Sequence, residues 1–407
     1  MRILLTANAP YDPPQGGSTR SNLAWLRSLA AHGHACRVIA PTRAGDTEAR
    51  ERVVDSIAIR SVPGLPHQHA LIGEEIKVFV PDWVLVSSED VAHVLLRAVA
   101  HAVPGRFVYL AHTPQFFPFG PESWNKDEAA TAAIRRAAGV VSIGHHMAGY
   151  IREHLGREAT VIHPPIYGEP PFRQFGRFGS GTVLMVNPCL VKGITLFTAL
   201  AQAFPQIEFA ALKGWGTTAK DRENLAREPN VRVLDTVPDI EDVLKEARCL
   251  VMPSLWYEGF GLIAMEAMLR GVPVIASNSG GLEEAKRGTR CIVPVNPITE
   301  YVRAFDDTGM PLPQVPGQEL IGWVTTLNEI LYDEAAYWDE AQLSRQVALK
   351  FVSGLDAMDF ERYLQNLQPV ASNPQDLSGR LVTLDPELRA RVLIRLRAKE
   401  RAKKDMD

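Results

Sequence analysis

Pro253-Ser254-Leu255-Trp256-Tyr257-Glu258-Gly259-Phe260-Gly261-Leu262-Ile263-Ala264-Met265-Glu266-Ala267 is the stretch on which the reading of this sequence turns. It follows an apolar run, Cys249 to Met252, that reads as a buried strand, and it leads into a helix stopped by Gly271 and Pro273. A strand, a glycine-rich turn and a helix in that order put the turn at the carboxyl end of a strand, where parallel sheets bind ligands. Gly259 and Gly261 let the backbone turn sharply and come close to a ligand. The free N–H groups that open the helix, with the positive end of its dipole, favour an anion there. Glu258 stands before the helix and Glu266 about one turn inside it, so the two carboxylates can reach different hydroxyl-bearing parts of one ligand.

The same unit recurs in both directions. Around this stretch, Val183 to Val186, Glu208 to Ala211, Val231 to Leu234 and Val272 to Ala276 read as strands, and Leu196 to Ala203 as a helix. Towards the N-terminus, Arg2 to Ala7 reads as a strand and Asn8 to Gly17 as a loop. Ser18 or Thr19 is then expected to cap a helix through Leu23, Leu26, Leu29 and Ala30, ended by Gly33. Cys36 to Ala40, Val84 to Val86, Phe107 to Ala111, Val140 to Ile143 and Val161 to His163 are further strands, with helices over Val91 to Ala100 and Met147 to Leu155. The prolines and glycines between Pro164 and Gly181 mark a linker. The expected fold class is α/β, with two Rossmann-like, doubly wound parallel-sheet domains facing across a cleft. The expected boundaries are 1–168 for the first domain and 169–355 for the second. A helix over 356–368 returns to the first domain, and a basic tail follows over 369–407.

The chain has 407 residues, 46% of them hydrophobic and 22% charged, which is enough to build two sizeable cores. A net charge of −4 gives no pervading basic field, so nucleic acid is not expected as a partner. Cys36, Cys189, Cys249 and Cys291 form no C-x-x-C pair and read as reduced core thiols. The apolar run at Met1 to Thr6 is too short for a signal peptide, and no run approaches the roughly 20 apolar residues of a spanning helix. A cytoplasmic protein is expected, with peripheral contact at a membrane left open.

In the E-x7-E spacing of Glu258 and Glu266, the glycines between them, and the downstream Ser279-Gly280-Gly281, the sequence resembles the retaining glycosyltransferases of family 4, which have the GT-B fold. The resemblance runs from Met1 to about Leu367. It implies that Glu258 contacts the sugar of a nucleoside diphosphate-sugar donor and that Glu266 bonds the ribose hydroxyls. Gly16-Gly17 matches a glycine loop whose amides approach the donor phosphates. His112 matches a histidine that faces the donor sugar, and Lys192 a lysine that neutralises the leaving diphosphate. The implied catalytic set is Glu258, His112 and Lys192. The implied donor-binding set is Gly16, Gly17, Asn187, Lys192, Gly259, Phe260, Gly261, Leu262 and Glu266, with no metal. The family usually carries an arginine five residues before the lysine, where this chain has Asn187, so Arg20, Arg43 and Lys213 are candidates for the missing cation. The implied reaction is metal-independent, retaining hexosyl transfer from a UDP- or GDP-sugar, with no cofactor, to an acceptor hydroxyl on a glycan, lipid or natural product.

Other signals weigh less. Gly214-Trp215-Gly216-Thr217-Thr218-Ala219 has the form of a dinucleotide fingerprint but lacks the acidic residue that should follow. The D-x-D at Asp405-Met406-Asp407 reads as accidental. His32-Gly33-His34 and His145-His146 look like metal pairs, but with no third ligand near in sequence they read as helix-end and surface histidines. Leu384, Leu388, Val392 and Leu396 recur every four residues among many Arg and Lys, predicting a basic amphipathic helix over 381–404 that could dock on a membrane surface or a protein. Two alternatives stand beside the transferase: a GT-B nucleotide-sugar epimerase, and a catalytically weak or silent sugar-nucleotide-binding scaffold, which Asn187 keeps open.

Overall fold

The computed structural model describes residues 1–43 and 45–370, so the helix expected over 381–404 lies outside the described residues. The first sheet contains β1 (Arg2–Thr6), β2 (Ala35–Pro41), β3 (Arg50–Val54), β4 (Ile57–Val62), β5 (Trp83–Ser87), β6 (Phe107–Ala111), β7 (Gly139–Ser142) and β8 (Thr160–Val161). Their order is β3-β4-β2-β1-β5-β6-β7-β8, parallel throughout except for the β3–β4 pair. The second sheet contains β9 (Thr182–Val186), β10 (Phe209–Leu212), β11 (Val231–Leu234), β12 (Ala247–Met252), β13 (Val274–Ser277) and β14 (Ile292–Val293), in the order β11-β10-β9-β12-β13-β14 and wholly parallel. Residues Ile3, Leu4 and Leu5 are fully buried, as are the strands β5 and β6, because helices cover both faces of a parallel sheet. These are the two doubly wound sheets that the sequence predicts.

Strand order reverses direction between β1 and β5 in the first sheet and between β9 and β12 in the second. At such switch points the loops diverge to opposite faces and leave a crevice at the strand ends. The loops that leave β1, β9 and β12 carry Gly16-Gly17, Asn187 with Lys192, and Glu258.

Several elements depart from expectation. The helix α1 (Gly16–Ala31) starts at Gly16, before Ser18 or Thr19, and its N-cap Gln15 makes no side-chain cap. The hydroxyls are used inside the helix instead: Thr19 Oγ1 donates to the Gln15 carbonyl at 2.8 Å and Ser21 Oγ to that of Gly17 at 2.8 Å. The β3–β4 hairpin and the helices α2 (Gly64–Phe79) and α4 (Glu128–Arg135) were not foreseen. β3 opens Arg-Glu-Arg on an exposed edge and carries no buried alternation. The helix after β5, α3 (Val94–Ala102), starts later than expected, because the Asp90 carboxylate accepts the Leu95 amide at 2.6 Å and holds the preceding turn. α5 (His145–Leu155) follows β7.

In the second half, α6 (Ile194–Ala203), α7 (Ala219–Ala226), α8 (Glu241–Leu244), α9 (Leu262–Leu269) and α10 (Leu282–Lys286) flank the sheet. An unforeseen hairpin of β15 (Tyr301–Phe305) and β16 (Pro311–Pro313) comes next, then α11 (Ile321–Tyr332), α12 (Glu334–Ser353) and α13 (Asp359–Asn366). α13 lies on first-sheet elements: Phe360 stacks on Trp25 at 4.9 Å, and Trp83 Nε1 donates to the Leu364 carbonyl at 3.1 Å. The rings of His32 and His34, the helix-end pair, lie 2.8 and 2.9 Å from different oxygens of Glu361 on this helix. Three cysteines are buried and Cys291 is half-buried; burial pushes all four thiols up to about 12. No helix among the described residues is long and apolar enough to cross a membrane.

A buried ion pair links α10, α12 and β13. Lys286 Nζ lies 2.6 Å from Glu340 Oε1 and donates to the Val274 carbonyl at 2.6 Å, tying α12 to β13, and both side chains are essentially inaccessible. Glu340→Gln strands the buried ammonium and should lower unfolding free energy by about 3–5 kcal/mol in urea titration. The double variant Lys286→Met/Glu340→Leu should lose much less; equal losses would show that the charges are irrelevant and only shape matters.

Candidate active site

The site is assembled on α9. Its residues are almost wholly apolar and buried, so the helix is held as a core element and its N-terminus is presented at the end of β12. Ahead of it, the loop 253–261 is in contact with the first domain. A Cβ built on Gly259 would lie 2.1 Å from the His112 carbonyl oxygen, closer than any side chain can approach. The Glu258 carbonyl accepts the Gly281 amide at 2.8 Å, so the Ser279-Gly280-Gly281 turn buttresses the glutamate from behind.

Each glutamate holds a cation. Glu258 Oε1 lies 2.5 Å from Lys192 Nζ and also accepts the Ser254 hydroxyl. Lys192 is placed by Gly193, whose α-carbon packs so tightly on the Pro253 carbonyl that an added Cβ would fall 2.0 Å from the oxygen. The same ammonium sits 4.5 Å above the Trp256 ring, which lies between Trp215 and Trp124 at centroid distances of 5.7 and 6.2 Å. Glu266, 3% exposed, is bound by Arg20 from α1, with Nη2 at 2.5 Å from one oxygen and Nη1 at 3.4 Å from the other. That carboxylate pushes the guanidinium further up, keeping it charged.

His112 is buried at the end of β6. Its Nε2 lies 2.8 Å from Asn22 Oδ1, and the Asn22 amide nitrogen donates to Tyr11 Oη at 2.7 Å and Ser87 Oγ at 2.9 Å. With both amide hydrogens committed, Asn22 accepts from the ring, which fixes the Nε2–H tautomer. The other nitrogen, Nδ1, has no hydrogen-bond partner among the described residues. Burial lowers the pKa of the ring, so the imidazole is neutral near pH 7.

Gly16 and Gly17 open α1 opposite α9: a Cβ on Gly17 would lie 3.1 Å from Leu262 Cδ1, and one on Gly16 3.3 Å from Trp215 Cδ1. The two helix N-termini therefore face one crevice. Asn187 is used differently. It has a φ of 58°, its Oδ1 accepts the Gly216 amide at 2.9 Å, and its side chain packs where a Cβ on Gly214 would stand. Its Nδ2 is buried without a hydrogen-bond partner among the described residues. Phe260 turns its ring away from the crevice into the core, against His163 and Phe351. Of the three candidate cations, Arg20 reaches a carboxylate of the site, Lys213 pairs with Asp235, and Arg43 is exposed.

The structure corrects one reading. His145 has two other potential ligands in reach, His163 and Glu284, though not its neighbour His146: the three place ligand atoms within 4.8 Å of one another. The two glutamate oxygens there accept the amides of His145 and His146 at 2.8 and 2.7 Å, so Glu284 caps α5 from the second domain. Sequence reasoning missed this because Glu284 lies 139 residues away. It also missed Asn22, although a polar residue on the Leu26 and Leu29 face of α1 was a legible signal.

The chain matches the family model described as Glycosyltransferase Family 4 over residues 15–167 and that described as Glycosyl transferases group 1 over 186–307. A probable glycogen synthase of Methanocaldococcus jannaschii is 31% identical over 136 residues, 32% of this chain and 25% of that protein. The chain spans no more than about a third of the length of the curated relatives it matches. The sucrose-phosphate synthase of Thermosynechococcus elongatus is similar in structure, with a TM-score of 0.67 at 16% identity, covering 89% of this chain and 98% of that one. So is HepE of Anabaena in complex with UDP and glucose, with a TM-score of 0.60 at 16% identity over 94% of this chain and all of the other. These two share the fold.

Burial lowers the pKa of His93, His112 and His163 alike. The unfolded chain takes up protons near 6.5 where the native rings do not, so native stability should be full above about pH 6.5 and fall as the pH drops below it. Denaturant midpoints measured from pH 7.5 to 5 should show the loss, and His112→Asn should reduce it; a midpoint that holds constant to pH 5 would contradict the buried neutral assignment.

Proposed function

The chain belongs to glycosyltransferase family 4, and on that premise we propose that it transfers a hexosyl group from a nucleoside diphosphate-sugar to an acceptor hydroxyl with retention of configuration. The observation that carries this reading is the meeting, across one crevice, of two facing helix N-termini, two carboxylates, two cations and a neutral histidine. The HepE neighbour, solved with UDP and glucose, supports the donor class. In this reading the diphosphate lies at the start of α9, where backbone amides, the helix dipole and Lys192 meet its charge. Glu266 takes the ribose hydroxyls and Glu258 the hydroxyls of the sugar.

The acceptor oxygen attacks C1 from the face that the diphosphate leaves. The new C1–O bond forms as the bond to the phosphate oxygen breaks, and that oxygen receives the acceptor proton. No strong protein base is then needed, and a neutral His112 beside the sugar does not oppose the positive charge that builds on the ring. Lys192 and the amides supply the charge stabilisation, so the reaction is read as metal-independent. Four free cysteines support a reducing, cytoplasmic setting, where nucleoside diphosphate-sugars are made.

Thermal-shift titration with UDP, GDP, ADP and TDP should reveal one preferred nucleotide. Glu266→Ala should weaken it by about 10- to 100-fold, as expected for loss of hydrogen bonds to a charged group. Glu258→Gln should keep nucleotide binding and lose acceptor-dependent release of the diphosphate. Unchanged affinity in Glu266→Ala would overturn the ribose role, and binding without turnover by the wild type over a wide acceptor panel would favour the silent scaffold.

A further inference from the structure

Building on that reading, we infer that Arg20 is the second diphosphate cation of this site and that its bond to Glu266 is a placeholder which the donor exchanges. Four observations lead there. Asn187, at the position where an arginine is expected, is locked in a left-handed turn with its carbonyl oxygen on the Gly216 amide, so it brings no charge to the crevice. Arg20 is one turn into α1, whose first turn touches Leu262 at the start of α9. Its side chain is 39% exposed, while the Glu266 side chain that it binds is 3% exposed, so the cation is the more accessible member of the pair. Lys192 and Glu258 repeat the arrangement beside it, with side chains 16% and 10% exposed.

The two pairs balance each other's charges along the crevice. A nucleoside diphosphate-sugar brings neutral hydroxyls at its ends and negative charge in its middle. Carboxylates suit the hydroxyls and cations suit the phosphates, so the ligand is bound by exchange of partners: Glu266 passes from Arg20 to the ribose, and Arg20 passes to the diphosphate. A buried carboxylate is never left without a partner, before or after binding. The pair also joins α1 of the first domain to α9 of the second, so donor binding replaces a direct domain contact with one through the ligand.

This predicts opposite effects on two ligands. Isothermal titration would compare wild type, Arg20→Ala, Arg20→Met and Arg20→Lys with UDP and uridine, and with GDP and guanosine, at two salt concentrations. For the base that the wild type binds, Arg20→Ala and Arg20→Met should lose at least tenfold in diphosphate affinity, with a shallower salt dependence. Affinity for the nucleoside should hold or rise, because Glu266 is released from its placeholder, and Arg20→Lys should fall between. A proportional loss for nucleoside and diphosphate would make Arg20 a mere prop for Glu266 and overturn the inference, as would an unchanged diphosphate affinity. Wild-type protein that binds none of UDP, GDP, ADP and TDP would sink the parent reading instead, and the variants are not needed to see it.

Discussion

The cleft depends on one main-chain contact. The carbonyl of His112 stands 2.1 Å from where a side chain on Gly259 would begin, so the two domains meet there backbone to backbone. The residues on either side are fixed by that meeting: the His112 ring on one domain and Glu258 on the other. The contact is reinforced nearby, where Glu284 caps α5, the Tyr257 hydroxyl bonds His146, and Leu262 touches Gly17. All of these second-domain groups lie between residues 257 and 284, so α9 is registered against the first domain at its N-terminal end.

Charge balance is the second constraint. Glu258 and Glu266 are nearly inaccessible, and carboxylates in such places need partners. Lys192 and Arg20 meet that need, one from within the second domain and one from across the cleft. In the proposed exchange, donor affinity is a difference between two well-satisfied sets of bonds, concentrated in the charge of the diphosphate. Asn187 shows a similar economy of position: its side-chain oxygen accepts the Gly216 amide and shapes the 214–216 loop.

What could be read in advance follows physical locality. β1, β5, β6, β9 and β12 are short apolar runs buried on both faces, and they stood out at once. β3 did not, because Arg50, Glu51 and Arg52 lie exposed on a sheet edge. The hairpin 301–313 has no buried alternation to reveal it either. In the site, Glu258 and Glu266 were legible because their spacing on a strand–turn–helix is a local property. The grouping of Arg20 with Glu266 was not, since 246 residues separate them and only the closure of the domains brings them together. His163 and Glu284 beside His145 were hidden for the same reason. The ring of Phe260, adjacent to the glycines, packs into the core against Phe351, which its place in the glycine turn does not reveal.

The most direct test is a crystal structure of the chain with its preferred nucleoside diphosphate. The account predicts the diphosphate between the N-termini of α1 and α9, the ribose hydroxyls on Glu266, and Arg20 moved from that carboxylate to a phosphate oxygen. A nucleotide bound elsewhere, or one bound here with the Arg20–Glu266 pair intact, would contradict it.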